Sequence, residues 1–212
     1  MNNKKIIRKM TGTALLVALI FIFQIIGNYV SIAGISINLA LIPIVIGAIL
    51  YGPWAGLLLG AINGICVLPG SGLFLGISLW GTVLCCVLKT GLAGFISGWL
   101  FKLFKGKAIV PGMVICSLII PIINTGIFSL FALTLFKQGL IEYFGVDNSS
   151  FVSFLFIGLI GVNFIFEIVS IAILTPSITL VLKRFIKTQV LGDDIGDRME
   201  KRDTEELSVE EE

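Results

Sequence analysis

MTGTALLVALIFIFQIIGNYV, residues Met10 to Val30, contains no Asp, Glu, Lys or Arg. It is long enough to cross a bilayer as a helix, which takes about 20 apolar residues. A basic start, Lys4, Lys5, Arg8 and Lys9, precedes it, as it would precede the core of a secretory signal. No small-residue cleavage site follows, and the apolar run continues past Gln24, so the segment reads as a first membrane helix that stays.

The same pattern recurs along the chain. After a short polar stretch, Ser31 to Asn38, a second apolar run goes to Tyr51 and stops at Gly52-Pro53, a strong turn signal. A third begins at Trp54 and reaches about Leu68, where Pro69-Gly70-Ser71-Gly72 breaks it. Leu73 to Gly81 is apolar but glycine-rich and is expected to form a loop or a re-entrant segment. Further spans are expected over about Thr82 to Phe104, Ile109 to Phe136 and Phe151 to Leu182. The second and third are short, so their ends must lean on protein rather than lipid. The expectation is an all-α membrane protein of six transmembrane helices.

Loop charges give an orientation, because cytoplasmic loops collect Lys and Arg. With six spans, Lys4, Lys5, Arg8 and Lys9, then Lys102, Lys105 and Lys107, then Lys183, Arg184 and Lys187 all fall on one side, against Lys137 alone on the other. Both termini are therefore expected in the cytoplasm. The body is residues 1–190. Residues 191–212 read as a disordered acidic cytoplasmic tail, since ten of the thirteen acidic residues lie from Asp193 onward.

Composition narrows the function. Hydrophobic residues make up 57% of the chain and charged residues 13%, against about 25% charged in a soluble domain. The basic residues form no clustered face of the kind nucleic acid requires. There is no histidine, which removes the commonest general base and metal ligand. Cys66, Cys85, Cys86 and Cys116 lie in apolar runs without metal-site spacing and read as small apolar residues. Gly81 and Lys89-Thr90 are too far apart for a phosphate loop. No catalytic or metal-binding residue is assigned, and no cofactor is expected.

Small residues recur at four-residue spacing: Ala14 and Ala18 in the first span, Gly56, Gly60 and Gly64 in the third, Gly94 and Gly98 in the fourth. Such faces let helix backbones approach closely in lipid. The glycines suit packing within the chain; the alanine pair could offer a face to a partner. Lys89 and Glu167 are the two ionisable side chains well inside spans, and a charge at mid-membrane costs about 2.5–3.5 kcal/mol unless it meets a partner or a cavity. Asn163 shares the Glu167 face, and Asn124 follows Pro121 in the fifth span. Either Lys89 and Glu167 form a structural pair, or the fourth to sixth helices enclose a polar cavity open to the outside. In such a cavity Lys89 meets a substrate anion, while Asn124, Asn163 and Glu167 bind hydroxyl or amide groups. Trp80, with Phe74, is either an interface anchor or a lid over a ligand.

Ala14-Leu15-Leu16-Val17-Ala18 resembles the alanine motif of the substrate-binding S components of energy-coupling factor (ECF) transporters. The stretch Ile42-Pro43 to Ala55-Gly56, with its Gly52-Pro53 turn, resembles the junction of the second and third helices in the same family. The resemblance covers roughly residues 10 to 187. It implies a plasma-membrane subunit that binds a water-soluble vitamin from the outside and then associates with a transmembrane coupling subunit driven by two ATPases. ATP hydrolysis then belongs to those partners, and docking falls on Ala14 and Ala18. Pro121 to Gly126 is similar to pantothenate-type members; a flat ring such as riboflavin is the alternative, with Trp80 and Phe74 as stacking partners. A competing function is a stand-alone secondary transporter, a class marked by internal repeats that this sequence does not display.

Overall fold

A backbone in hydrocarbon has no water to bond, so a chain of this composition satisfies its amides within helices. The computed structural model describes residues 3–29, 31–32, 35–36, 38–104, 109–161 and 164–171, and these are predominantly helical. Among the described residues, five helical stretches are long and apolar enough to cross a membrane: Lys9–Gly27, Pro53–Gly70, Leu79–Phe104, Pro111–Thr134 and Phe151–Ile171.

Helix α1 covers Asn3–Tyr29. Two short strands follow, β1 (Ser31–Ile32) and β2 (Ile35–Ser36), paired antiparallel with Ser31 opposite Ser36, where only an irregular polar stretch was expected. The second apolar run forms α2, Leu41–Tyr51, of 11 residues. At 1.5 Å per residue that is about 16 Å, roughly half the hydrocarbon thickness. Most of α2 is buried, with Leu41, Ile44 and Val45 at 0–2% exposure, so it leans on protein as expected of a short segment. At Gly52 the chain adopts a positive φ of 92°, which favours glycine, and Pro53 opens α3, Pro53–Val67.

Leu73 to Gly81 is mostly helical rather than a loop. A short helix α4, Gly72–Ile77, is followed by one extended residue, Ser78. Helix α5 then runs from Leu79 to Phe104, three residues earlier than expected. Ser78 is the physical reason: its Oγ accepts from the Gly81 N–H at 3.2 Å, the bond a helix N-cap makes. Helix α6 spans Ile109–Thr134 with Pro121 inside it, and α7 spans Lys137–Phe144. The final stretch opens with an α-helical turn, Phe151–Ser153, and widens into a π-helix over Phe154–Gly161. Residues 164–171 are again helical. Asn163 and the acidic tail, 191–212, lie outside the described residues.

The glycine repeats pack within the chain. A methyl on Gly56 would run into the Gly94 carbonyl, one on Gly60 into the Thr90 carbonyl, and one on Gly64 into the Cys86 carbonyl. Thr90 Oγ1, buried between α3 and α5, lies 2.6 Å from the Gly60 carbonyl oxygen. Ser97 Oγ donates to the Cys116 carbonyl at 3.0 Å, joining α5 to α6.

These contacts also define two ends. Gly12 of α1 abuts Tyr51, Gly98 of α5 abuts Pro53, and Gly112 of α6 abuts Phe104. Lys9 and Lys102 therefore share one end with the α2–α3 turn. At the other end Gly81 abuts Leu135, and Gly139 abuts Ile77. There an apolar cluster forms around Phe136, Leu140, Phe151 and Leu155.

Gly60→Ala is expected to lower the apparent melting temperature of the detergent-solubilised chain, through an overpacking cost of about 1–3 kcal/mol. Gly126→Ala, whose methyl meets nothing within 4 Å, should be neutral or mildly stabilising. Thermal unfolding of the two variants beside the wild type checks this; equal behaviour would refute the close α3–α5 seam.

Candidate functional site

A cavity of about 90 Å³ lies in the half of the bundle away from Lys9 and Lys102. One water needs only about 10–15 Å³ by the same measure, so the space suits a small molecule. Helical spacing builds its walls. Thr82, Cys85, Cys86 and Lys89 lie three, four and seven residues apart on one face of α5. Asn124, Thr125 and Phe128 line it from α6, and Phe164 and Glu167 line it from the final stretch. Gln24 of α1 and Asn38, just ahead of α2, complete the polar part. Phe74 and Phe136 stand with Phe128 in the aromatic part, Phe74 meeting each edge-on at 5.5 Å (Phe128) and 5.3 Å (Phe136) between centroids.

Lys89, Asn124 and Glu167 thus meet in one cavity. Trp80 does not line it; it is 81% exposed, and Phe74 stands in the wall instead. Ala14 and Ala18 are exposed on α1, with no described neighbour covering that face.

Lys89 is half-buried, and its Nζ sits 5.2 Å from the centre of the Phe128 ring, a cation–π arrangement. Among the described residues it makes no ion pair; Glu167 acts on it through space. Lys89 and Glu167 therefore share a cavity without forming the tight structural pair that is one of the two readings of their sequence positions. The Glu167 carboxyl, 8% exposed, faces the Asn38 backbone N–H and the Asn124 carboxamide. Even so, Glu167 Oε2 and Asn124 Oδ1 have no hydrogen-bond partner among the described residues, and a buried unsatisfied acceptor costs about 1–3 kcal/mol.

Asn38 is held from behind. Asn63 of α3, completely buried, donates a long hydrogen bond of 3.4 Å from its amide to Asn38 Oδ1. This contact ties the start of α2 to α3 beside Glu167. Asn38, Asn63 and Gln24 escaped the sequence reading because a neutral amide carries no charge to mark it: Asn38 looks like a boundary residue, and Gln24 and Asn63 like single polar breaks in apolar runs. The available signal was their position: an amide among residues otherwise apolar needs a partner. Cys85 and Cys86 are buried, consistent with packing, but they also border the cavity.

The arrangement offers one ammonium, one carboxyl and several amides and hydroxyls around a space of small-molecule size, beside an aromatic wall. That is binding chemistry. A family model described as "ECF transporter, substrate-specific component" matches residues 8–179. No curated protein and no solved structure matches the chain.

Asn63→Ala should leave Asn38 without its side-chain partner and loosen the start of α2. The expected result is faster amide hydrogen exchange over residues 39–42 and a melting temperature lower by several degrees, from a loss of about 1–3 kcal/mol at roughly 2–4 °C per kcal/mol. Unchanged exchange there would show that the asparagine pair carries no load.

Proposed function

Because the chain belongs to the family of ECF transporter substrate-specific components, we propose that it captures a small water-soluble vitamin or related micronutrient at the outer face and hands it on for uptake. The chain has no catalytic task on this reading. It docks on a transmembrane coupling subunit, and two ATPase subunits supply the hydrolysis.

The observation that carries the reading is the cavity in which Lys89, Asn124 and Glu167 meet. A lysine at membrane depth, held against a ring rather than in an ion pair, remains open to a substrate anion. The neighbouring amides suit hydroxyl or amide groups, with Asn163, four residues before Glu167 in sequence, a further contributor. These features favour a pantothenate-like acid over a flat ring such as riboflavin. A ring would stack on Phe74 or Phe128 rather than on Trp80.

The basic ends supply the orientation. Lys9 and Lys102 share the end opposite the cavity, so by the positive-inside bias that end is cytoplasmic and the cavity lies towards the outside of the plasma membrane. The chain then crosses six times, with α2 as the short second crossing, and both termini are cytoplasmic. Residues 191–212 form an acidic cytoplasmic tail. Docking uses Ala14 and Ala18, whose small exposed side chains let a partner helix approach and leave without opening voids.

Native mass spectrometry of the wild-type chain, purified from cells grown in rich medium, is expected to show a retained molecule of vitamin mass. Lys89→Ala should remain folded yet emerge bare, since removing a buried charge partner costs about 2–5 kcal/mol. Wild-type retention by that variant would exclude the anion role. In a second test, Ala14→Leu combined with Ala18→Leu should bind ligand normally but fail in uptake when its partner subunits are present. Undiminished uptake would move the docking face elsewhere.

A further inference from the structure

The polar lining of the cavity is sided. Asn124 is 4% exposed and Glu167 8%, and Asn124 Oδ1 and Glu167 Oε2 both lack donors among the described residues. Buried polar atoms in folded proteins nearly always have a partner; Asn63 Oδ1 is also left over but lies off the cavity, whereas these two acceptors are on side chains that line it. The Glu167 carboxyl also favours one orientation of Asn124. Towards an ionised Glu167 only the Asn124 amide nitrogen can donate, and a flipped amide would then set oxygen against oxygen. The acceptor end of Asn124 is the end left over. From α5, by contrast, comes an ammonium: Lys89 brings three donors and a charge, resting on Phe128 outside any ion pair among the described residues. The terminal torsions of Asn and Glu are soft, so both acceptors can turn to an incoming donor without backbone movement.

We infer that the molecule held here is two-ended. One end carries at least two N–H or O–H donors that meet Asn124 Oδ1 and Glu167 Oε2; the other carries an anionic group that meets Lys89. The inference rests on the capture reading above and narrows it to amino, amide or hydroxyl derivatives of a small acid. A plain anion such as inorganic phosphate or a simple dicarboxylate satisfies Lys89 but brings like charge towards Glu167. A cation without an acidic group leaves Lys89 uncompensated at membrane depth.

The test uses the full chain purified from rich medium, with the retained molecule released and identified by mass. After exchange into D₂O, its mass counts the exchangeable hydrogens, and negative-mode ionisation reports the acid. The expected result is an acid with at least two exchangeable N–H or O–H hydrogens besides its own. Re-binding of that molecule should weaken at least tenfold in Asn124→Leu. The same molecule methylated at its donor groups should fail on the wild-type chain, a readout independent of whether the variant folds. A retained molecule with fewer than two such hydrogens, or with no acidic group, overturns the inference and leaves the capture role standing. So does undiminished binding of the methylated derivative. A chain that emerges bare, and stays bare after incubation with a mixture of water-soluble vitamins, overturns both.

Discussion

Lipid tails are as apolar as leucine, so helices in a membrane gain nothing by hiding apolar surface from them and are held by close packing and hydrogen bonds. In this chain the closest packing is the seam between α3 and α5. Gly56 faces Gly94 there, Gly60 faces Thr90, and Gly64 faces Cys86, while the Thr90 hydroxyl reaches across to the Gly60 carbonyl. The two helices run antiparallel, so the seam has a direction. It starts tight at Gly98 against Pro53 and continues to Gly64. Beyond Gly64, α3 gives way to a 3₁₀ turn over Leu68–Gly70, and the glycine repeat ends. The cavity begins where the seam runs out, with Val67, Gly70 and Ser71 on one side and Thr82, Cys85 and Cys86 on the other. Close packing at one end of α3 and α5 and a polar cavity at the other are two parts of one arrangement.

Much of this was open to reading in the sequence, for a physical reason. A bilayer demands long apolar runs without charge, so α5 and α6 declare themselves to within a few residues, and α1 does so over its apolar part, its basic first turns extending the helix back to Asn3. The same demand exposes Lys89 and Glu167: a charge inside such a run has to be answered by something. Short-range chemistry is harder to read. The start of α5 depends on Ser78 acting as a cap, and one serine in a glycine-rich stretch is a weak sign. The brevity of the second apolar run was legible, and with it the need to lean on protein; which residues it leans on emerges only with its neighbours in view. Trp80 shows the same limit. A tryptophan near a span boundary has the same sequence signature whether it faces lipid or ligand, and here it is largely exposed while Phe74 lines the cavity.

The polar residues of the cavity are organised around the start of α2. Glu167 faces the backbone of Asn38 and the amide of Asn124, and Asn63 reaches Asn38 from α3. A carboxyl near the first turn of a helix is also favourably set against the helix dipole. The same glutamate thus steadies α2 and lines the cavity. A substitution at Glu167 would disturb both roles together, whereas Lys89, whose described contact is with an aromatic ring, can be changed with less consequence for the fold.

The short helix α2 has a further consequence, for distance. It begins beside the cavity wall at Asn38 and ends at the turn that shares an end with Lys9 and Lys102. Its 11 residues measure about 16 Å along the axis. A molecule resting in the cavity is therefore about one short helix length from the end that holds Lys9 and Lys102, between polar side chains and an aromatic wall. The space between the cavity and that end is filled by protein interior, with α2 mostly buried and α3 and α5 in close glycine contact beside it.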